Sequence, residues 1–157
     1  MADVPVLYVG EKNISSWSMR AWVLLREAGV AFNEVRIALF EDGYRERILQ
    51  YSPAGQVPVL VDGRGGVWDS LAISEAMAEL YPEKNLWPRD SQARRMARSI
   101  CAEMHSGFPA LRSRMPMNIR ASLPGRGRGP EVDADIERIV HIWESCRAQY
   151  GGGGEML

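Results

Sequence analysis

The residues in this sequence with the clearest chemical potential form a short turn, Ser15-Ser16-Trp17-Ser18. The turn follows an apolar, strand-like run at residues 5–10 and precedes a helix-like run at residues 21–28, which Gly29 closes. A strand-to-helix turn leaves backbone N–H groups without partners beside the hydroxyls, and the helix dipole makes the same place electropositive. We therefore expect the turn to favour an anion. On these residues alone, the alternative is that one of the serines only caps the helix.

Two later turns carry residues that can hold a ligand. Gln56-Val57-Pro58 enters an apolar strand at residues 59–61, and a proline there cannot donate to a sheet ladder. If the Val57-Pro58 bond is cis, the N–H and C=O of Val57 face a ligand instead of a neighbouring strand. Asp69-Ser70 opens a helix, and the pair is typical of an N-cap. Capping leaves further N–H groups of that helix for a ligand carboxylate.

Composition excludes several classes of function. The chain has 157 residues, of which 46% are hydrophobic and 25% charged, and its formal net charge is −1. These values fit a globular protein of one or two small domains and do not favour binding to nucleic acid or to an anionic membrane. Cys101 and Cys146 are the only cysteines, and neither has metal ligands nearby in sequence, so we expect no metal and a reducing compartment. Because the N-terminus lacks a signal-peptide pattern and no apolar run could span a membrane, the expected location is cytoplasmic.

The periodicity changes near the middle of the chain. Strands and helices alternate up to residue 81, and residues 30–39 and 41–51 read as a strand and a short helix. Residues 82–89 read as a linker, because they contain two prolines and have no periodicity. Beyond it the pattern is helical, and the glycines of residues 151–154 end the last helix. The predicted apolar faces of the two long helices are Ala93, Met96, Ala97, Ile100, Cys101 and Met104, and then Val132, Ile136, Ile139, Val140, Trp143, Cys146 and Tyr150.

This order of elements and three motifs resemble the cytosolic glutathione S-transferase family. The motifs are Ser15-Ser16-Trp17-Ser18, Gln56-Val57-Pro58 and Asp69-Ser70-Leu71-Ala72-Ile73. The resemblance implies an α/β plus all-α protein: a thioredoxin-like N-terminal domain (βαβαββα) at residues 1–81, the linker at 82–89, and a helical domain at 90–157 that lacks the end of the family's C-terminal domain. The serine turn is most similar to the serine-type, zeta-like classes. Those classes often carry a cysteine where this chain has Trp17, which argues against a direct transfer of their maleylacetoacetate isomerase activity.

The resemblance implies that glutathione is the co-substrate and that its sulfur attacks a small electrophile, as in detoxification. Ser15 would donate a hydrogen bond to the sulfur, with Ser16 as its nearest competitor, and Trp17 would stand at the mouth of the site. A free thiol has a pKa of about 8.5, so only a few per cent is thiolate at neutral pH. A hydrogen bond to a charged group contributes roughly 1.5–3 kcal/mol, and one pKa unit corresponds to about 1.4 kcal/mol. One hydroxyl and a helix N-terminus therefore suffice to lower the thiol pKa by about one to two units.

The other two motifs would hold the peptide that carries the sulfur. By resemblance, the backbone of Val57 pairs with the cysteinyl part of glutathione after a cis Pro58, and Gln56 lies nearby. Asp69 and Ser70 would bind the ammonium and carboxylate of the γ-glutamyl group. No metal is implied.

Two other functions remain open at this point. The same fold also serves as a non-catalytic, protein-interaction or stress-related module, and the missing end of the helical domain favours that alternative. A glutaredoxin-like thiol oxidoreductase needs a cysteine at the first turn, and residues 15–18 contain none. The family also implies a homodimer, for which residues 90–105 with Met96, Ile100 and Met104 are the expected contact, although the same residues equally suit an ordinary core.

Overall fold

A computed structural model describes residues 4–152 of the chain. The chain forms two compact units, and the boundary between them falls between Trp87 and Pro88. This boundary lies inside residues 82–89, the segment that reads as a linker.

The first unit contains a four-stranded sheet in the order β2-β1-β3-β4, in which β1 and β2 are parallel and the other two pairs are antiparallel. Its elements follow the predicted βαβαββα order of a thioredoxin-like domain. They are β1 (Val6–Val9), α1 (Ser16–Glu27), β2 (Asn33–Arg36), α2 (Tyr44–Leu49), β3 (Val59–Asp62), β4 (Gly65–Trp68) and α3 (Ser70–Leu80), followed by a 3-10 turn at Pro82–Lys84.

The core of the first unit lies between the sheet and the helices α1 and α3. Alternate residues of β1 point into it because side chains along a strand alternate between the two faces of the sheet. The spacing of Ile73, Ala76, Met77 and Leu80 predicts an apolar stripe along α3. The structure confirms the stripe at Ile73 and Met77, which are both buried. The buried members of the core are Leu7, Val9, Ala21, Leu25, Val30, Leu60, Ile73 and Met77.

The second strand differs from the prediction. The alternation in residues 30–39 predicts a strand with one covered face, but β2 has only four residues and all of them are exposed, including Val35. The reason is that β2 is an edge strand, and the buried position, Ile37, follows its end. The short helix α2 likewise buries only Ile48, because six residues are fewer than two helical turns.

The second unit is helical, with α4 (Ser91–Ser106), α5 (Pro109–Arg114) and α6 (Pro130–Tyr150). The Asp90 carboxylate caps α4 by accepting the N–H of Ala93 at 2.8 Å. α4 ends at Ser106, as its periodicity predicts, and Pro109 begins α5.

The apolar face predicted for α6 is only partly correct. Val132 and Ile139 are buried, but Val140, Trp143 and Tyr150 are exposed. Ile142, which the prediction leaves out, is buried together with Ile139 and Phe108. The predicted face is wider than the surface that the rest of this unit covers. The glycines at 153 and 154, which the prediction includes in the helix stop, lie outside the described residues.

Candidate functional site

The first and second motifs lie side by side at one end of the sheet. The chain leaves β1 at Gly10 and enters the serine turn, while β3 runs antiparallel to β1 with Val59 opposite Tyr8. This register brings Val57 next to Gly10. A methyl group on Gly10 would lie 3.1 Å from Cγ2 of Val57, so the two segments touch. The Val57-Pro58 peptide bond is cis, as the resemblance implies.

The third motif arrives at the same end of the sheet. β4 pairs antiparallel with β3, and Trp68 lies opposite Val59. Asp69 and Ser70 follow Trp68 directly, so the start of α3 is adjacent to the entry of β3. The strand register alone therefore brings together three turns that are far apart in sequence.

Ser15 is the residue that caps α1. Its Oγ accepts the N–H of Ser18 at 3.3 Å and lies 2.9 Å from Oγ of Ser18. Ser15 therefore both caps α1 and lies in the candidate site, so the two interpretations of the serine turn do not exclude each other. Ser16 is the first residue of the helix and is half-buried.

Ser18 has a position that sequence reasoning missed. It is only 1% exposed, and its Oγ accepts the backbone N–H of Gly10 at 3.0 Å. The hydroxyl therefore links the end of β1 to the capping residue of α1. The spacing of Ser15 and Ser18 is that of a capping box and gives no signal of a contact with Gly10.

Trp17 lies beside a positive charge. The guanidinium carbon of Arg20 is 4.5 Å from the centre of the Trp17 ring, within the range of a cation–π interaction. Both side chains are half-buried. The pair places an aromatic and cationic surface next to the serine turn.

The third turn contains a strained backbone at Asp69 and a hydroxyl without a hydrogen-bond partner in the described residues at Ser70. Asp69 has φ 75° and ψ 133°, and its Oδ1 accepts the N–H groups of Leu71 at 2.8 Å and Ala72 at 3.3 Å. A non-glycine residue in so sparsely populated a region costs on the order of 1–3 kcal/mol and marks candidate functional sites. Ser70 is 2% exposed, and within the described part of the chain its Oγ has no hydrogen-bond partner. Such a hydroxyl can accept a hydrogen bond from a ligand or donate one to it.

The remaining predicted site residues differ in exposure. Gln56 is exposed, Val57 is half-buried and Pro58 is buried. Across residues 4–152, no group of three or more His, Cys, Asp or Glu side chains is arranged to hold a metal ion. In the same range, no helix combines the length and the apolar character needed to cross a membrane.

Comparison with known proteins agrees with this arrangement. Residues 14–80 match the family described as "Glutathione S-transferase, N-terminal domain". Residues 14–80 are a glutathione S-transferase N-terminal domain. This domain contains the serine turn, the Val57-Pro58 turn and the Asp69-Ser70 turn, and it has the thioredoxin-like fold described above. The predicted resemblance and fold class are confirmed.

Relatives with established names match parts of the chain. It is 34% identical over 116 residues to "Maleylacetoacetate isomerase" from Rattus norvegicus, covering 71% of this chain and 52% of that protein. It is 35% identical over 77 residues to "Glutathione S-transferase zeta class" from Euphorbia esula, covering 48% of this chain and 34% of that protein. The chain thus spans about half or less of the length of these relatives.

The fold of the glutathione S-transferase domain and of the helical part also matches a solved structure. A glutathione transferase homologue from Burkholderia, crystallised with bound glutathione, superposes with a TM-score of 0.67 at 24% identity. The match covers 91% of this chain and 67% of that chain. At this identity the likeness establishes the fold.

Proposed function

We propose that this chain binds glutathione and activates its thiol for attack on a small electrophile. The observation that carries the proposal is the position of the Ser15 hydroxyl, at the N-terminus of α1 and at the end of the sheet where the other two turns meet. The names of the relatives, a maleylacetoacetate isomerase and a zeta-class transferase, support a glutathione-dependent transferase or isomerase.

The proposed chemistry needs only a hydrogen-bond donor and a positive potential. The glutathione S–H bond breaks, its proton passes to water, and the sulfur keeps the electron pair. Ser15 donates its hydroxyl proton to the resulting thiolate, and the N-terminus of α1 adds its dipole. Ser16, one residue further along, is the alternative donor. Trp17 stands at the mouth of the site.

The other two turns hold the peptide part of glutathione. The backbone of Val57, next to Pro58, pairs with the cysteinyl residue. The buried Ser70 hydroxyl, which has no partner in the described range, takes an oxygen of the γ-glutamyl carboxylate, and Asp69 takes the ammonium group. Gln56 is exposed at the entry to this turn.

Replacing Ser15 tests the catalytic role directly. We expect Ser15→Ala to leave binding to immobilised glutathione largely intact and to reduce turnover of a generic aromatic electrophile at pH 7 by roughly 10- to 100-fold, since a hydrogen bond to a charged group contributes about 1.5–3 kcal/mol. Ser106→Ala is the control, because Ser106 is also helical but its Oγ donates only to the carbonyl of Ala102 within the exposed part of α4. Unchanged turnover of Ser15→Ala together with a loss in Ser16→Ala would transfer the role to Ser16. Unchanged turnover in both would refute the chemistry.

A non-catalytic module is the second candidate. The same fold also serves in non-catalytic modules, and the match to the rat relative covers 52% of that protein. Glutathione-agarose separates the two proposals: retention and elution by free glutathione support the enzyme, and flow-through supports the module.

The domain organisation, location and oligomeric state of the protein are proposed on the same basis. Residues 1–81 act as the glutathione-binding domain, 82–89 as its linker, and 90–157 as a partial helical domain. A cytoplasmic location is supported by the low cysteine content, which is only Cys101 and Cys146 in 157 residues, and a net charge of −1 gives no reason to expect nucleic acid or membrane as a partner. A homodimer through α4 is supported by the exposure of Met96, whereas Ile100 and Met104 pack against the core of the second unit, and sedimentation at micromolar concentration tests the proposal.

A further inference from the structure

We propose that Ser18 is a positioning residue that turns the hydroxyl proton of Ser15 toward the glutathione sulfur, an inference that rests on the proposed function. The observation behind it is a chain of hydrogen bonds: the N–H of Gly10 donates to Ser18 Oγ at 3.0 Å, and Ser18 Oγ and Ser15 Oγ lie 2.9 Å apart, within hydrogen-bond distance. Ser18 itself is 1% exposed and does not touch the substrate; it acts through Ser15.

The direction of the bond between the two hydroxyls decides where the proton of Ser15 goes. A distance of 2.9 Å between the oxygens accommodates one proton, and either hydroxyl can supply it. If Ser15 supplies the proton, none is left for the sulfur. If Ser18 supplies it, Ser15 Oγ accepts from both Ser18 Oγ and Ser18 N–H, and its own proton is directed to the ligand. A thiolate selects the second arrangement, because hydrogen bonds to an ionised acceptor are roughly twice as strong as neutral ones.

The Gly10 N–H fixes the Ser18 hydroxyl in the orientation that this arrangement needs. It occupies an acceptor site of Ser18 Oγ, so the Ser18 proton is directed away from Gly10. Gly10 is held close to its neighbours: a methyl group there would lie 2.6 Å from Cδ1 of Leu39. The donor that orients Ser18 is thus part of the packed end of β1.

Capping of the helix does not explain the position of the Ser18 hydroxyl. In a capping box, the side chain three residues after the cap turns back to the N–H of the capping residue. Here the N–H of Ser15 already donates to the carbonyl of Glu11 at 2.8 Å, and the Ser18 hydroxyl is turned to Gly10 instead. The hydroxyl therefore has a role other than completing the box.

The consequence is a stronger donor at Ser15. Hydrogen bonds in a chain polarise one another, by roughly 10–30% per bond, and the two bonds that Ser15 accepts hold its side chain in one rotamer. Loss of the Ser18 hydroxyl should therefore raise the pKa of bound glutathione by roughly 0.3 to 1 unit.

A double-mutant cycle tests the proposal. The variants Ser15→Ala, Ser18→Ala and the double variant are loaded with glutathione. The thiol pKa is read from the ultraviolet absorbance of the thiolate during a pH titration, as the difference between titrations of the same variant with and without glutathione. We expect Ser18→Ala to raise the thiol pKa and to lower turnover at pH 7 by about two- to tenfold, with recovery at high pH where the thiolate is complete. In the Ser15→Ala background, we expect the same change to leave the thiol pKa where it is.

Two further variants separate positioning from stability. Ser52→Ala removes a hydroxyl that is 0% exposed and has no partner among residues 4–152, so it should leave the thiol pKa unchanged. Ser18→Cys keeps nearly the same shape with a weaker donor, and should raise the thiol pKa in the same direction even where Ser18→Ala does not fold.

The outcomes distinguish this inference from the proposed function. The role of Ser18 alone is overturned if the wild-type chain lowers the thiol pKa of glutathione but Ser18→Ala leaves that pKa unchanged. It is also overturned if Ser18→Ala changes the pKa equally in the wild-type and Ser15→Ala chains. A wild-type chain that does not bind glutathione overturns both.

Discussion

The two units of this molecule bury their apolar residues to very different extents. In the first unit, eight buried residues form a single cluster between the sheet and its helices. In the second unit, the corresponding cluster has three buried residues, Phe108, Ile139 and Ile142, and none of the residues of α4 is fully buried. Both regions have strongly periodic sequences. The difference shows that periodicity defines an apolar face, whereas burial requires a second surface to cover that face.

Buried hydroxyls show the same contrast between the units. Among the described residues, the buried polar side chains are Ser15, Ser18, Ser52 and Ser70, and all four belong to the first unit. Three of them lie in the turns at one end of the sheet. Burying a hydroxyl is costly unless it finds a partner. Ser15 and Ser18 bond to each other and Ser18 also bonds to Gly10, whereas the Ser70 hydroxyl has no partner within residues 4–152, so this end of the sheet is the candidate place for a ligand.

The difference in burial between the two units is tested by truncating one core isoleucine in each unit to alanine, and these variants have the largest expected effect. Ile73 is 0% exposed in the first unit and Ile139 is 8% exposed in the second. We expect Ile73→Ala to lower the free energy of unfolding by about 3–5 kcal/mol and Ile139→Ala by about 2–3 kcal/mol, since the cost rises with the cavity that is left. Ile119→Ala, at a position 60% exposed, is the control and should change it by less than about 0.5 kcal/mol.

Urea unfolding can assign these losses to a unit. Trp143 reports on the second unit, and Trp22 is among the tryptophans of the first, so fluorescence combined with Trp143→Phe separates the two transitions. An Ile139→Ala loss equal to or larger than that of Ile73→Ala would contradict the comparison.

Much of the fold could be predicted from the sequence because local signals and global topology agree in the first unit. The βαβαββα order follows from strand runs, glycines and prolines, and the buried stripe of α3 follows from its spacing. The exposure of Val35 could not be predicted, because it depends on β2 being an edge strand. The burial of Ile142 and exposure of Trp143 depend on which neighbour covers α6, and the helical pattern does not contain that information.

The candidate site was predictable in its residue types but not in its geometry. Hydroxyls at a strand-to-helix turn and a proline at a strand entry are visible in the sequence. The contact of Ser18 with Gly10 is not, because it depends on how β1 meets α1 in three dimensions. The positive φ of Asp69 is equally invisible, because aspartate rarely adopts it unless the surrounding structure imposes it.

A smaller effect is expected from a charge cluster on the first unit. Burial alone would raise the pKa of Glu34, but hydrogen bonds from Lys12 and from the indole N–H of Trp22, at 2.7 Å, outweigh it and hold the pKa below its usual value. A lowered pKa stabilises the fold above the unfolded value of about 4.3, and that contribution is lost as the pH falls through the folded pKa. Glu34→Gln should therefore lower the free energy of unfolding by about 0.5–1 kcal/mol at pH 7 and by almost nothing at about pH 3. Urea titrations at the two pH values measure this, and a difference that grows toward acid would contradict it.

The smallest effect is expected from the ion pair that joins α4 to α6 in the second unit. Arg138 donates two hydrogen bonds to Glu103, at 2.6 and 2.8 Å, and these bonds lower the pKa of Glu103 and raise that of Arg138. Both side chains are exposed to solvent, so water and salt screen the pair. Glu103→Gln, Arg138→Gln and the double variant should each lower the free energy of unfolding by the same small amount, less than Glu34→Gln does. The loss should disappear near 1 M salt, where the Debye length is about 3 Å. A larger loss of the free energy of unfolding that does not depend on salt would contradict this prediction. It would show that the pair between Glu103 and Arg138 is shielded from water, although both side chains are exposed.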